Sequence, residues 1–542
     1  MRDSLARRAN GRADVVQGVG VVLVLFLALR PGLMSADSLD QLGQARSFTF
    51  NDWHPVLMAV TWGWLRKLFG DSGLLLAHLT LFEVGLAMLV NAFDVGTVRR
   101  RVALLLPFFP PVLSQVGVLW KDTGLFCVWI FALGLAAQGR GRSLKARAAF
   151  AVLAELFVCY GCAIRINALP AGIIINMLIV RLLFPNVGAL DKSFRRVVKE
   201  GGAAGVALPL VFGLSWVAAT IVEPVHAYSV QAVMIYDLAL TGCEHGPIRI
   251  PPVFLAPEAT TSSICAVTND RNIDTLLYNP KVVKLTRTGA DYNVLKRAWV
   301  RAVVADPIRY LRIRGKVFLH SMGAFSPLSD TYIMQKGIDP NFNSLGVSFR
   351  PNLVSRAIFG FVDLSVYDLP FLFRSYFWAL IGIALLFLQR GDRRIAAVTS
   401  RYLVVSSLVY LLTWIPLVVA NQFRYFSWTV VGIVLAVLLT PPSLRRRTAD
   451  AMSDPYPSSA ATSSHAPPSP NATPSMYSHP TPPPHELDHP DPTPPPSHPS
   501  HPSRHADPAC PTPSNTLSKN PFKPQQSAPS SHAIASYSQA DP

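Results

Sequence analysis

The stretch DSLDQLGQARSFTFNDWHP, Asp37 to Pro55, sets three carboxylates beside a tryptophan and a histidine. Asp37 and Asp40 are three residues apart, so on a helix they share one side. Asp52 and His54 follow with Trp53 between them. A carboxylate of this kind can serve as general base on an incoming hydroxyl. It can also help hold a divalent cation. Three later stretches carry the complementary charge. LWKD (Leu119–Asp122) supplies Lys121 and Asp122 beside Trp120, RIN supplies Arg165 and Asn167, and NQFRY supplies Arg424. Arginine can grip phosphate through two parallel hydrogen bonds, and lysine meets it as a point charge. Carboxylates flanked by such cations suit the transfer of a group away from a phosphate. The acid takes the proton, and cations, or a metal held by the carboxylates, stabilise the leaving group. The plainer alternative is a solvated loop whose acids meet water, with Arg and Lys snorkelling to lipid headgroups.

The elements that must bring these residues together are membrane helices. Half of the 542 residues are hydrophobic and only 15% are charged, whereas soluble domains carry about 25% charged residues. The net charge of +17 falls in short clusters between apolar runs, as orientation signals do, so nucleic acid is not an expected partner. Six cysteines are too few for a disulfide scaffold. A bilayer core of about 30 Å needs roughly 20 apolar residues in a helix. Ten candidate spans result, near 15–34, 72–93, 102–119, 122–138, 148–164, 168–184, 202–223, 371–389, 401–420 and 424–440. The first could be a signal peptide, but it lacks a small-residue cleavage site and reads better as an uncleaved helix. The third holds Pro107, Pro110 and Pro111.

With ten spans, all the basic clusters fall on one side: Arg7/Arg8/Arg12, Arg99–Arg101, RGRSLKAR, KSFRRVVK, RGDRR and Arg445–Arg447. The positive-inside rule makes that side the cytoplasm and places both termini there. The expected fold is therefore an all-α integral membrane bundle of about ten transmembrane helices. Residues 1–14 form the cytoplasmic N-terminus, and residues 15–445 the transmembrane domain. The outer face collects the first loop (35–71), a large extracytoplasmic loop subdomain of mixed helix and turn signals (224–370), and the turns carrying Lys121, Arg165 and Arg424. VLMAVTWGWLRKLF (Val56–Phe69) reads as an amphipathic helix at the outer interface, with Trp62 and Trp64 at headgroup depth.

Within the large loop, Tyr236-Asp237-Leu238 lies where it could fold back over the site, which makes Asp237 a candidate substrate residue. Trp299–Phe318 reads as a helix, a turn at Asp306-Pro307, then a basic helix. Cys243 and Cys265 both fall on the oxidising side, and a disulfide between them would contribute roughly 3 kcal/mol in the chain-entropy model. Cys159 and Cys162 form CYGC inside a span, where small-residue packing is favoured over redox chemistry. Residues 446–542 hold more than half of the 46 prolines and most of the 13 histidines. Such a segment buries no core and is expected to be a disordered cytoplasmic tail.

A first helix, an outward loop with Asp37-Ser38, then Trp53-His54-Pro55 and an amphipathic stretch resemble the GT-C class of polytopic glycosyltransferases. LWKDTGLF and RINALPAG look like a less characterised bacterial branch of that superfamily, with Lys-Asp after helix three and Arg-x-Asn after helix five. The resemblance covers roughly residues 15–445. It implies transfer of a sugar from a polyprenyl-phosphate donor to an envelope glycan, lipid or protein at the outer face of a bacterial inner membrane. It implies a first-loop carboxylate as base, with Asp37 matching best and Asp40 and Asp52 next. Lys121, Arg165 and Arg424 would hold the donor phosphate. Trp53, His54, Asp122, Asn167 and Asp237 would contact substrate. Many relatives carry their soluble domain at the C-terminus, whereas here it falls between helices seven and eight. No Gly-rich nucleotide loop stands on the inner face. No motif names a cofactor or a metal site, although a divalent cation would suit the carboxylates. A transporter or flippase of an envelope lipid or polysaccharide, or a non-catalytic membrane scaffold, are the rival readings.

Overall fold

The computed structural model describes residues 2–93, 95–185, 222–286 and 288–440, together with 213 and 220. Almost all of the candidate span at 202–223 and the whole tail after 445 lie outside these residues. The helices and the site lie within one compact unit, Met1–Ser458.

All regular structure among the described residues is helical, and β-pairing is confined to isolated bridges. Five helical stretches are long and apolar enough to cross a membrane: Val56–Phe93, Lys121–Gly139, Leu144–Ile164, Ile166–Leu183 and Ile395–Thr413. Three more apolar helices are shorter, Ala13–Leu29, Ser375–Leu388 and Phe423–Leu439. The third candidate span is not a continuous helix. Residues 97–116 break into a helix at Thr97–Ala103, a 3-10 turn at Leu106–Phe108 and a helix at Pro110–Val116. Each proline lacks the amide hydrogen and clashes with the preceding turn, so Pro107 and Pro110 restart the helix rather than continue it.

Lys121–Gly139 is the central helix and is buried along nearly its whole length. Against Gly73–Phe93 it packs backbone to backbone. A Cβ added to Gly85 would lie 2.6 Å from the Phe131 nitrogen, and one on Gly134 2.7 Å from the Gly85 oxygen. Small residues at such crossings supply the van der Waals contact that lipid cannot replace. Polar side chains tie the other side. Trp428 Nε1 donates to Ser406 Oγ (3.0 Å), which itself donates to the Ala171 carbonyl (3.0 Å). Cys159 and Cys162 are buried; Cys159 Sγ donates to Glu155 Oε1 (3.1 Å), and Cys162 Sγ lies 2.5 Å from where a Gly172 Cβ would lie, which is close packing. Val56–Phe69 is a helix as expected, but Trp62 is fully buried and donates to the Asp71 carbonyl (3.0 Å). Only Trp64 is exposed, beneath the Lys67 ammonium.

The segment after 222 forms helices Gln231–His245, Thr261–Val267, Asp274–Leu277, Gly289–Ala305, Pro307–Ser321 and Leu353–Asp368. The turn at Asp306-Pro307 is where the sequence puts it: Asp306 caps the second helix by accepting from the Arg309 amide (3.0 Å), with Pro307 in its first position. Cys243 and Cys265 are disulfide-bonded, with Cα atoms 5.4 Å apart. These segments are joined to the ends of the apolar helices by two-residue bridges. Examples are Asn272 with Ala420, Tyr332 with Gln422, Met34 with Ile338 and Asn51 with Val225.

Candidate functional site

The seam between those segments and the helix ends encloses a cavity of about 790 Å³. Its first wall is fixed by how residues 33–38 meet 117–120. Leu33 N donates to the Gly117 carbonyl (3.0 Å) and Leu119 N to the Leu33 carbonyl (3.0 Å). Ser38 Oγ donates to the Leu119 carbonyl (2.9 Å) and Trp120 Nε1 to Ser35 Oγ (2.9 Å). The approach requires Gly32, which has a φ of +117° and lies so close to Leu119 that a Cβ would sit 2.5 Å from its Cδ1. Helix Ala36–Ser47 then starts at this joint, so Asp37 in its first turn stands beside Trp120 and Lys121.

Asp37 Oδ2 pairs with Arg424 Nη2 at 2.8 Å. Burial alone would raise the Asp37 carboxyl, but the surrounding groups, Arg424 foremost with His54 and Lys121, together outweigh it and hold the group well below the usual carboxylate range. Arg424 is fixed further by Gln422 Oε1, which accepts from its Nε (2.6 Å), and by the Trp120 ring 4.8 Å away. Arg165 pairs through Nε with Asp122 Oδ1 (3.0 Å) and lies over the Trp414 ring at 4.4 Å. Tyr410 donates to the same Asp122 oxygen (3.2 Å). Trp414 stacks on Tyr425 at 4.3 Å, and both guanidiniums lie near the Tyr425 ring, at 5.8 and 5.5 Å. The two arginines are thus held side by side by aromatic faces.

Lys121 Nζ lies 2.8 Å from His54 Nδ1. An ammonium only donates, so Nδ1 accepts and the ring hydrogen sits on Nε2. That nitrogen faces Asp37 Oδ1 at 3.8 Å and Asp40 Oδ2 at 3.9 Å, too far for hydrogen bonds. Burial, with the Lys121 charge adding to it, pushes His54 down to about 3, so the imidazole is neutral at pH 7.

Seven of the residues singled out from sequence line this one cavity: Asp37, Trp53, His54, Lys121, Arg165, Asn167 and Arg424. Four do not. Asp40 lies one turn beyond Asp37 and accepts from Gln44 Nε2 (2.7 Å). Asp122 is buried behind Arg165. Asp52 pairs with the exposed His226 (2.9 Å) and accepts from the Ala227 amide. Asp237 is locked to Arg314 (3.1 Å) and accepts from Trp299 Nε1 (2.9 Å), and both charged side chains are almost fully buried. Its acid group answers an internal cation instead of lining the cavity.

A further part of the cavity comes from residues no motif marked. Asp274, Tyr278, Asp330, Asp339 and Phe342 line it, with Arg271 ion-paired to Asp330. No cation pairs with Asp274 among the described residues, and burial, with Asp37 facing it, raises its carboxyl. Their only sequence signal is an aspartate beside aromatic or turn residues, which is too common to single out. Among the described residues no three His, Cys, Asp or Glu side chains converge as a metal site. No family model matches the chain, and no curated protein or solved structure matches it either.

Proposed function

We propose that the chain is an integral membrane glycosyltransferase of GT-C type. It would transfer a sugar from a polyprenyl-phosphate donor to an envelope glycan, lipid or protein. In this reading about ten spans place the cavity at the outer face of a bacterial inner membrane, with residues 224–370 as its extracytoplasmic cover. The observation that carries it is convergence. Asp37, Lys121, Arg165 and Arg424 come from four separate parts of the chain and meet in one cavity at the ends of apolar helices.

Arg165 and Lys121 would bind the donor phosphate, while Trp53 and His54 line the sugar position. Arg424 would be shared: as the phosphate arrives, its guanidinium has a second anion to serve, and Asp37 regains proton affinity. The acceptor oxygen then attacks the anomeric carbon, and its proton passes to Asp37. The bond from that carbon to the phosphate oxygen breaks, and polyprenyl phosphate leaves with the electron pair, stabilised by the three cations.

A transporter is the second reading, and one observation favours it. Glu83 is buried within Gly73–Phe93, and neither carboxylate oxygen has a partner among the described residues. Buried acids in membrane helices mark many proton and ion paths. Native mass spectrometry of the detergent-purified protein separates the two. A co-purifying polyprenyl-phosphate sugar, retained by Asp37→Asn and weakened by Arg165→Ala, is the transferase outcome. Bulk phospholipid alone on all three proteins would remove the donor site and leave transport to be assayed.

A further inference from the structure

Charges of both signs line the cavity. Its three helix-end cations, Lys121, Arg165 and Arg424, stand with Asp37, which pairs with Arg424. The lining from residues 271–342 presents Asp274, Asp330 and Asp339 with one cation of its own, Arg271, which is paired with Asp330, while Arg424 acts on Asp274 without pairing with it. Asp274 and Asp339 therefore remain without a paired cation among the described residues, and Asp339 accepts from the Asn341 amide (3.0 Å). Tyr278 and Phe342 stand in the same lining, 52% and 36% exposed, with ring centroids 5.7 Å apart. Exposed rings inside a concavity, here tilted 60° to one another, offer an apolar surface bordered by acceptors. A third feature is independent of both. Asn421 also lines the cavity and is 4% exposed. Its Oδ1 accepts from Thr331 Oγ1 (3.1 Å), but its Nδ2 has no partner among the described residues. A buried amide donor left unmade is costly, and because this nitrogen is closed off, a ligand oxygen reaches it only when the side chain turns toward the cavity.

From this juxtaposition we propose that the wall of Asp274, Tyr278, Asp339, Phe342 and Asn421 is an acceptor subsite for an uncharged or amine-bearing sugar, and that it rejects a sugar carrying a carboxylate or phosphate. The designation as acceptor side rests on the transferase reading. The ring pair takes the C–H face of a pyranose. Asn421 donates to a ring or hydroxyl oxygen, and the free carboxylates accept from hydroxyls or pair with an ammonium. An anionic substituent would face Asp274 and Asp339 in a half-buried site, where like charges repel far more than in water.

Saturation-transfer NMR on the full-length protein in nanodiscs tests this with three probes at equal concentration: methyl glucoside, methyl glucosaminide and methyl glucuronide. The first two should receive saturation, and the glucuronide at least tenfold less. Tyr278→Ala/Phe342→Ala should abolish transfer to all three, and Asp274→Asn should raise the glucuronide signal. Glucuronide binding as well as the glucoside, or signals unchanged in the double variant, would overturn the proposal. Native mass spectra of the same double variant keep the two ideas apart. A donor retained there, with sugar binding lost, shows a subsite distinct from the donor site. Sugar binding as described on a protein that never carries a polyprenyl donor leaves the subsite standing and the transferase reading fallen.

Discussion

Replacing Arg314 by methionine should injure the fold while sparing the chemistry. Arg314 and Asp237 are 1% and 2% exposed and 3.1 Å apart. At an effective dielectric of about 20, that separation corresponds to roughly 5 kcal/mol of gross attraction. Breaking a buried pair by removing one partner costs about 3–5 kcal/mol, because the other charge is stranded. The stranded Asp237 would keep the Trp299 indole bond, and Arg314 Nε would no longer bind the Ile415 carbonyl (3.2 Å). Burial raises the Asp237 carboxyl even with Arg314 present. Without the arginine it should rise further and take up a proton on folding. An acid whose folded pKa exceeds its unfolded one loses stability as pH rises through the unfolded value. The deficit of Arg314→Met against wild type should therefore widen from pH 4 to pH 8. Asp237→Asn/Arg314→Met should recover much of it, since neither charge is then left alone. Thermal unfolding in detergent, followed by tryptophan fluorescence at both pH values, measures all of this. If Asp237→Asn melts like wild type but stops turnover, Asp237 touches substrate and the structural assignment is wrong.

Cys243→Ser should cost about 3 kcal/mol by the chain-entropy model for a loop of this length, and a shift between reducing and non-reducing gels would report the bond itself. His54 should make the protein acid-sensitive. Its folded value of about 3 lies under the unfolded value near 6.5, so the unfolded chain binds more protons between them and stability falls as pH drops through that window. His54→Gln should flatten the melting temperature over the same range, and an unchanged slope would show that other groups set it. On the proposed transferase reading, Asp37 must be ionised to accept a proton. The acid limb of kcat/KM, which reads the free enzyme, should lie below the ordinary carboxylate range because of Arg424. The limb of kcat should lie higher, since bound phosphate competes for that guanidinium; coincident limbs would contradict the sharing of Arg424.

The apolar helices were legible because lipid imposes a length: Lys121–Gly139 and Leu144–Ile164 stand out as runs that nothing shorter could replace. The run at 102–119 misled because hydropathy counts side chains and ignores amide hydrogens, and its prolines remove the latter. Lys121, Arg165 and Arg424 were legible as charges at the ends of apolar runs, where a membrane protein carries them for a reason. Asp237 has the same look, yet its partner Arg314 is 77 residues away, and no local pattern announces such a pair. The wall of Asp274, Tyr278 and Phe342 was silent for a related cause. It is placed by backbone bonds, Asn421 N to the Arg271 carbonyl (2.6 Å) and Ile273 N to the Val419 carbonyl (2.9 Å), and backbone bonds leave no side-chain signature.

Those same bonds bear on how anything enters. Tyr332 and Asn421 share one bond (2.9 Å), Phe423 and Tyr332 another (3.0 Å), Met34 and Gly337 a third (2.9 Å). A continuous ladder would resist opening as a block, but these make two separate fasteners, since both Tyr332 bonds belong to one bridge. Each bond amounts to about 1 kcal/mol net, so one fastener can part while its neighbours stay closed. The covering segments therefore behave as a hatch with several latches rather than one hinge. Amide exchange should find the Arg271, Tyr332 and Gly337 fastenings releasing at different rates. On the proposed transferase reading, a long lipid-borne substrate would slide in under one released latch while the rest of the cavity lining stays in place.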